Sequence, residues 1–232
     1  MKTQSTYLSS TTLLKAAAED IFSSKLEVSV VGLPENKAYS LWKEMTKELS
    51  LLESVFDGKR SDSEVSILNA SKVDIETSDL MKEALNVCES YLIKTKGLFN
   101  ISCADSEHLD FSGFIKGYAI SRLISILKKG KAKGYFINFG DNVLAAFGNQ
   151  PYCHGWNYTL YGDNDEEIAE FELNNESMAI SNTKDHRLCV FKSKDPLEAE
   201  VLSMVLPEAT SSQRHEMSYS FNRLDESYYD LS

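Results

Sequence analysis

Between Lys37 and Ser54 the apolar residues Ala38, Leu41, Met45, Leu49 and Leu52 recur at intervals of three and four. That spacing puts them on one face of an α-helix, and a face of that width must be buried against something else. Asn36 is the expected N-cap. A second helix is predicted from about Asp79 to Lys96, capped by Ser78 and stopped by Gly97, with Leu80, Ala84, Leu85, Cys88, Tyr91 and Leu92 inward. A third starts near Lys116 and carries Ala119, Ile120, Leu123, Ile124 and Leu127 up to Gly130. What these helices cover is given by short β-branched or apolar runs at 26–32, 135–139 and 143–147, with further strands at 156–161, 168–173 and 187–192. Gly140-Asp141-Asn142 joins two of them as a turn. A last helical stretch runs from Leu197 towards Pro207. Helices mixed with antiparallel strand pairs give the α+β class, and 232 residues without a repeat or a Pro/Gly-rich linker suit a single domain over 1–232. Residues 1–24 show no comparable pattern and are expected to be loosely ordered.

Charge narrows the partners. A net charge of −11 with a pI near 4.9 argues against nucleic acid and anionic membranes. A nucleotide remains compatible, since a phosphate site needs only a few local donors. No apolar run is long enough to span a bilayer. The start of the chain lacks the apolar core of a secretory signal and a lipid-attachment cysteine, so a native N-terminus implies a cytoplasmic protein. The four cysteines form no CxxC pair, and Cys88 and Cys189 are expected to be buried thiols. The tail from Glu216 to Ser232 is acidic and aromatic, and reads either as an interaction strip or as a terminal element packed on its own domain.

Three segments can carry chemistry. In Leu109–Ala119 (LDFSGFIKGYA) an acid and a small-residue turn precede a helix start. Helix N-termini offer unpaired N–H groups and partial positive charge, so Lys116 in a first turn calls for a compensating anion; otherwise it is a surface lysine beside a packing glycine. Asn138–Asn142 at a strand end reads first as a plain hairpin turn, with close ligand approach at Gly140 as the alternative. Phe56–Asn69 reads as structural, with Ser63 capping a short helical turn.

Order and identity together identify a family. SDSEVSILN is similar to pDSelSrLN of the ApbE-type flavin transferases (FAD:protein FMN transferases). TKGLFN resembles their TgGaFD, DFSGFIKGYA their DLGGIAKGYA, and FINFGDN their liNaGGd. Gly155-Trp156, Met178–Asn182 and Ala199–Met204 resemble later motifs in the same order. The resemblance implies an enzyme that cleaves FAD with bound Mg²⁺ and attaches FMN to Thr or Ser of a flavoprotein acceptor. It places Asp110, Lys116, Tyr118, Asn138, Gly140 and Ser181 at the FAD site. It assigns the metal to Glu200 and the backbone of Ile115, with Met204 where the family has a Thr ligand. The family's histidine–aspartate segment is missing between Asn182 and Glu198, leaving Asp185-His186 and Asp195-Pro196 as fragments, with His186 an ordinary polar residue. Asn100 replaces an Asp, and Asp141 a Gly. The expectation is therefore a retained fold with FMN transfer weak or lost. The alternatives are a non-catalytic flavin- or nucleotide-binding module and an interaction scaffold.

Overall fold

The computed structural model describes residues 1–71, 75–102, 108–162 and 164–231. Its centre is an eight-stranded antiparallel sheet. The strands are β1 (Lys2–Leu8), β2 (Leu13–Ile21), β3 (Ser24–Val31), β4 (Gly134–Phe139), β5 (Val143–Phe147), β8 (Glu176–Asn182), β9 (Arg187–Ser193) and β10 (Glu226–Asp230), paired in that order. β6 (Trp156–Tyr161) and β7 (Glu167–Leu173) form a separate hairpin. The helices are α1 (Glu35–Phe56), α2 (Glu64–Ala70), α3 (Asp79–Lys94), α4 (Ile115–Lys129), α5 (Pro196–Val205) and α6 (Ser211–Met217). The α+β class read from the sequence is the one observed.

Strand alternation sorts the core into two layers. On β5, Val143 and Ala145 join the large helix-side cluster, while Leu144 and Ala146 join a smaller one with Trp156, Leu160, Leu173 and Met178 under the β6–β7 hairpin. Ala179 and Phe191 face the helices; Met178, Ile180, Leu188 and Val190 face the hairpin. The central strands are thus covered on both sides, which is why they read as unbroken apolar runs. Trp156 seals the second layer by stacking on Phe136 and donating its indole N–H to the Phe147 carbonyl at 3.1 Å.

Several expectations change. Residues 1–24 are not a loose segment, for they supply β1 and β2, with Leu14, Ala16 and Ala18 in the helix-side core. β1 escaped detection because it is a largely exposed edge strand, KTQSTYL, with no buried face to impose alternation. Helix α1 starts after Pro34 rather than at Asn36. The extended backbone of Pro34 precedes the first turn and its carbonyl accepts the Ala38 N–H, leaving Asn36 inside the helix. Ser78 caps α3 as expected, accepting from the Met81 N–H at 3.1 Å, and Ser63 caps α2. Cys88 and Cys189 are buried. The tail contributes β10, tied to α6 by a 2.6 Å Arg214–Glu226 ion pair. Among the described residues no helix is long and apolar enough to cross a membrane.

Candidate functional site

The site forms where the first turn of α4 meets the β4–β5 turn and α5. Its approach segment is fixed from a distance: Asn69, at the end of α2, donates to the Leu109 carbonyl at 2.9 Å and accepts the Leu109 N–H at 2.8 Å. One amide side chain therefore satisfies both backbone groups of Leu109, as a paired strand would. Asp110 follows, exposed, its Oδ1 accepting the Ser112 N–H at 2.8 Å. The chain then turns through Phe111 and Phe114, which pack into the core, and α4 starts at Ile115.

Phe114, the N-cap, provides no side-chain acceptor for that helix start. The acceptor comes from α5: Glu200 Oε2 takes the Gly117 N–H at 2.7 Å, and the Lys116 backbone also hydrogen-bonds the carboxylate. Glu200 is 5% exposed, and burial pushes its carboxyl up to about 7, against the pull of the Gly117 N–H and the Lys116 ammonium. The close approach of α5 is possible because residue 117 is glycine: a Cβ there would lie 2.7 Å from Leu197 Cα and Pro196 O. The anion that Lys116 calls for in a first helical turn is thus supplied by the protein itself.

Lys116 is half-buried, and burial lowers its pKa against the opposing influence of Glu200 and Asp141. Its Nζ donates to Asn142 Oδ1 at 2.7 Å and lies 5.9 Å from the centre of the Phe139 ring. Gly140 makes room for it. A Cβ at that position would sit 2.7 Å from Nζ, and its φ of +63° is one that glycine adopts without strain. Asn138 and Asp141 hold the turn by bonding each other: Asn138 Nδ2 donates to Asp141 Oδ1 at 2.6 Å, and the Asp141 N–H to Asn138 Oδ1 at 3.0 Å.

Two cavities flank this junction. One, of about 380 Å³, is lined by Asp141, Asn142, Ser181, Glu200 and Met204 among others. The other, of about 520 Å³, is lined by Phe22, Phe56, Lys59, Asp110, Ile115 and Lys116 among others. Ser112 borders both. The structure thus gathers Asp110, Ile115, Lys116, Gly140, Ser181 and Glu200. Ser181 lines the smaller cavity, its hydroxyl donating to the Ser203 carbonyl at 2.5 Å. Tyr118 is separated from the rest: its hydroxyl donates to Glu83 at 2.8 Å, its ring stacks on Phe114, and it borders neither cavity. Asn138 is buried in its turn and borders neither.

Met204 lies one helical turn after Glu200, and a Cβ on Gly113 would meet its Cε at 2.8 Å and Sδ at 2.9 Å. The thioether therefore fills the seam between α5 and the turn before α4. His186 sits exposed at the β8–β9 turn, where the Thr183 N–H donates to the Arg187 carbonyl at 2.8 Å, and it borders neither cavity. Sequence reasoning named Asn142 only as part of the Asn138–Asn142 turn and not as the partner of Lys116, and it missed Phe22, on the cavity wall. The polar turn at the end of β4 was the signal for the first; nothing local marked the second.

The ApbE family model matches residues 104–195. No curated protein is matched by sequence. Among solved structures, the flavinyl transferase ApbE of Pseudomonas stutzeri in its apo form is 16% identical, with a TM-score of 0.73 over 99% of this chain and 94% of that one. The flavin transferase ApbE of Vibrio cholerae is 12% identical, with a TM-score of 0.73 over 93% of this chain and 90% of that one. The ApbE protein of Thermotoga maritima is 11% identical, with a TM-score of 0.73 over 97% and 93%. The chain thus matches the ApbE family across residues 104–195 and has, over nearly its whole length, the fold of the ApbE flavin transferases.

Proposed function

We propose that the protein binds FAD across the start of α4 and is a transferase-like relative in which FMN transfer to Thr or Ser of a flavoprotein is weak or absent. One observation carries the FAD reading. Two cavities meet at Ser112, and Lys116, which borders one, is bonded to Asn142, which borders the other. A dinucleotide has that layout: two planar ends joined by a diphosphate that calls for a cation near its middle. The larger cavity has aromatic walls in Phe22, Phe56 and Phe111, with Asn69, Asp110 and Lys59 as polar groups, as suits a planar heterocycle.

The weak-transfer reading rests on what flanks the groove. Phosphoryl transfer is mostly positioning and charge stabilisation around the phosphates, so it suffers when the positioned groups are missing. Here the β8–β9 connection is a tight turn with His186 outside the cavities, and Met204 puts a thioether where the resemblance calls for a hydroxyl. The second reading, a non-catalytic flavin- or nucleotide-binding module, is favoured by the same thioether. The test incubates the protein with FAD, Mg²⁺ and a threonine acceptor peptide, and follows the peptide mass. Little or no FMN adduct is expected while flavin fluorescence reports FAD binding. Robust transfer would overturn the weak-activity reading, and absence of FAD binding would overturn the whole.

A further inference from the structure

We propose that the diphosphate position of this groove is metal-free: Lys116 supplies its positive charge, and Glu200 is the positioning carboxylate that holds the first turn of α4 in place. The inference rests on the reading of the groove as a FAD site. The Mg²⁺ that the resemblance implies does not fit the described residues at this position. Mg²⁺ requires hard oxygen ligands in near-octahedral array. Glu200 borders the smaller cavity, but its Oε2 is committed to the Gly117 N–H where α5 packs on α4. One turn later stands the thioether of Met204, pressed against Gly113. Among the described residues no group of three or more His, Cys, Asp or Glu is placed to hold a metal.

Lys116 has what the metal lacks. Its ammonium carries three donors, of which Asn142 takes one. It stands at the junction of the two cavities, in space that Gly140 leaves open. Glu200 holds the backbone of Lys116 and Gly117, so the turn from which the lysine extends is fixed through α5. The helix N-terminus and its two backbone N–H groups offset part of the cost of burying this carboxyl group, so it serves as a cap without a cation.

The experiment pairs FAD fluorescence titrations in EDTA and in Mg²⁺ with electron paramagnetic resonance of Mn²⁺ added to the protein alone. FAD affinity should be the same within about twofold in both buffers, with no Mn²⁺ bound. Lys116→Met should weaken FAD by about tenfold or more while leaving riboflavin, which has no phosphate, unchanged. Glu200→Gln keeps one oxygen for the Gly117 N–H but loses the second carboxylate oxygen and the charge that face the Lys116 turn, so FAD affinity should fall, by less than in Lys116→Met. One Mn²⁺ per chain, lost in Glu200→Gln, would overturn the inference, as would FAD binding that needs Mg²⁺ or ignores Lys116→Met; in those cases the groove remains a FAD site. No FAD binding in any buffer would remove the groove reading and this inference with it. If either variant melts early by circular dichroism, the buffer comparison and the Mn²⁺ spectrum on the unaltered protein still decide.

Discussion

Gly117→Ala places a methyl group in the seam between α4 and α5. Its Cβ would lie 2.7 Å from Leu197 Cα and Pro196 O and 2.9 Å from Glu200 Oε2, and the first two are backbone atoms that cannot rotate away. The helices must part to admit it. Overpacking of this kind costs about 1–3 kcal/mol. Parting them also stretches the charged 2.7 Å bond from Gly117 N–H to Glu200, a class of bond contributing about 1.5–3 kcal/mol. Against this, alanine gains about 1 kcal/mol over glycine in a helix interior. The net is a loss of about 1.5–5 kcal/mol, or roughly 3–20 °C in Tm for a chain of this size. Thermal and urea unfolding followed by circular dichroism measure it, and FAD titration should show weakened binding because the Lys116 turn moves. A variant as stable as the parent, or about 1 kcal/mol more stable, would show that helix propensity alone operates there and refute the close α4–α5 contact.

The Glu200 carboxyl, raised to about 7 mainly by burial, holds a proton in the folded chain that the unfolded chain, with a value near 4.5, has released. Its contribution to stability is therefore greatest below about 4.5 and is lost as pH rises to about 7. Glu200→Gln should flatten the slope of urea stability against pH in that window, and an unchanged slope would refute the assignment. Asn69→Ala leaves both backbone groups of Leu109 without their partner and should cost about 1–3 kcal/mol, read by urea melts, with FAD binding weakened through Asp110; a neutral result would show that the clamp is idle. Arg214→Ala breaks the pair with Glu226 and a 2.6 Å bond to the Leu206 carbonyl, so β10 should lose amide-exchange protection and stability should fall by about 1–3 kcal/mol, discounted for the partial exposure of the arginine. Alkylation mapped by mass spectrometry should mark exposed Cys153 and spare Cys88 and Cys189, buried thiols pushed up to about 12 by desolvation.

What could be read from the sequence was whatever a buried face imposes. α1, α3 and α4 showed the three-and-four spacing because each packs one face on the sheet or a neighbouring helix, and β4 and β5 showed unbroken apolar runs because both their faces are covered. β1 and β10 are sheet edges with mixed polar exposure; β1 pairs with the adjacent β2 but has no buried face to impose alternation, and β10 pairs with β9 more than thirty residues earlier. The site was legible as a set of motifs and illegible as a set of contacts. Lys116, Gly140 and Glu200 stand out as residues, yet that Glu200 caps the helix of Lys116 depends on an 83-residue separation closed only by the fold. Tyr118 shows the converse: about half a turn of helix α4 beyond Lys116, it faces away from the groove towards Glu83 and Arg122. No local pattern distinguishes those two outcomes, because the facing direction of a first-turn residue is set by what packs on the helix.

The most direct test of the central claim is calorimetric titration with FAD, and with FMN and AMP separately. If one dinucleotide spans the two cavities with Lys116 between them, FAD should bind at one site per chain and more tightly than either half by about tenfold or more. FAD binding no tighter than FMN or AMP, or no saturable heat at all, would contradict a groove built around the whole dinucleotide.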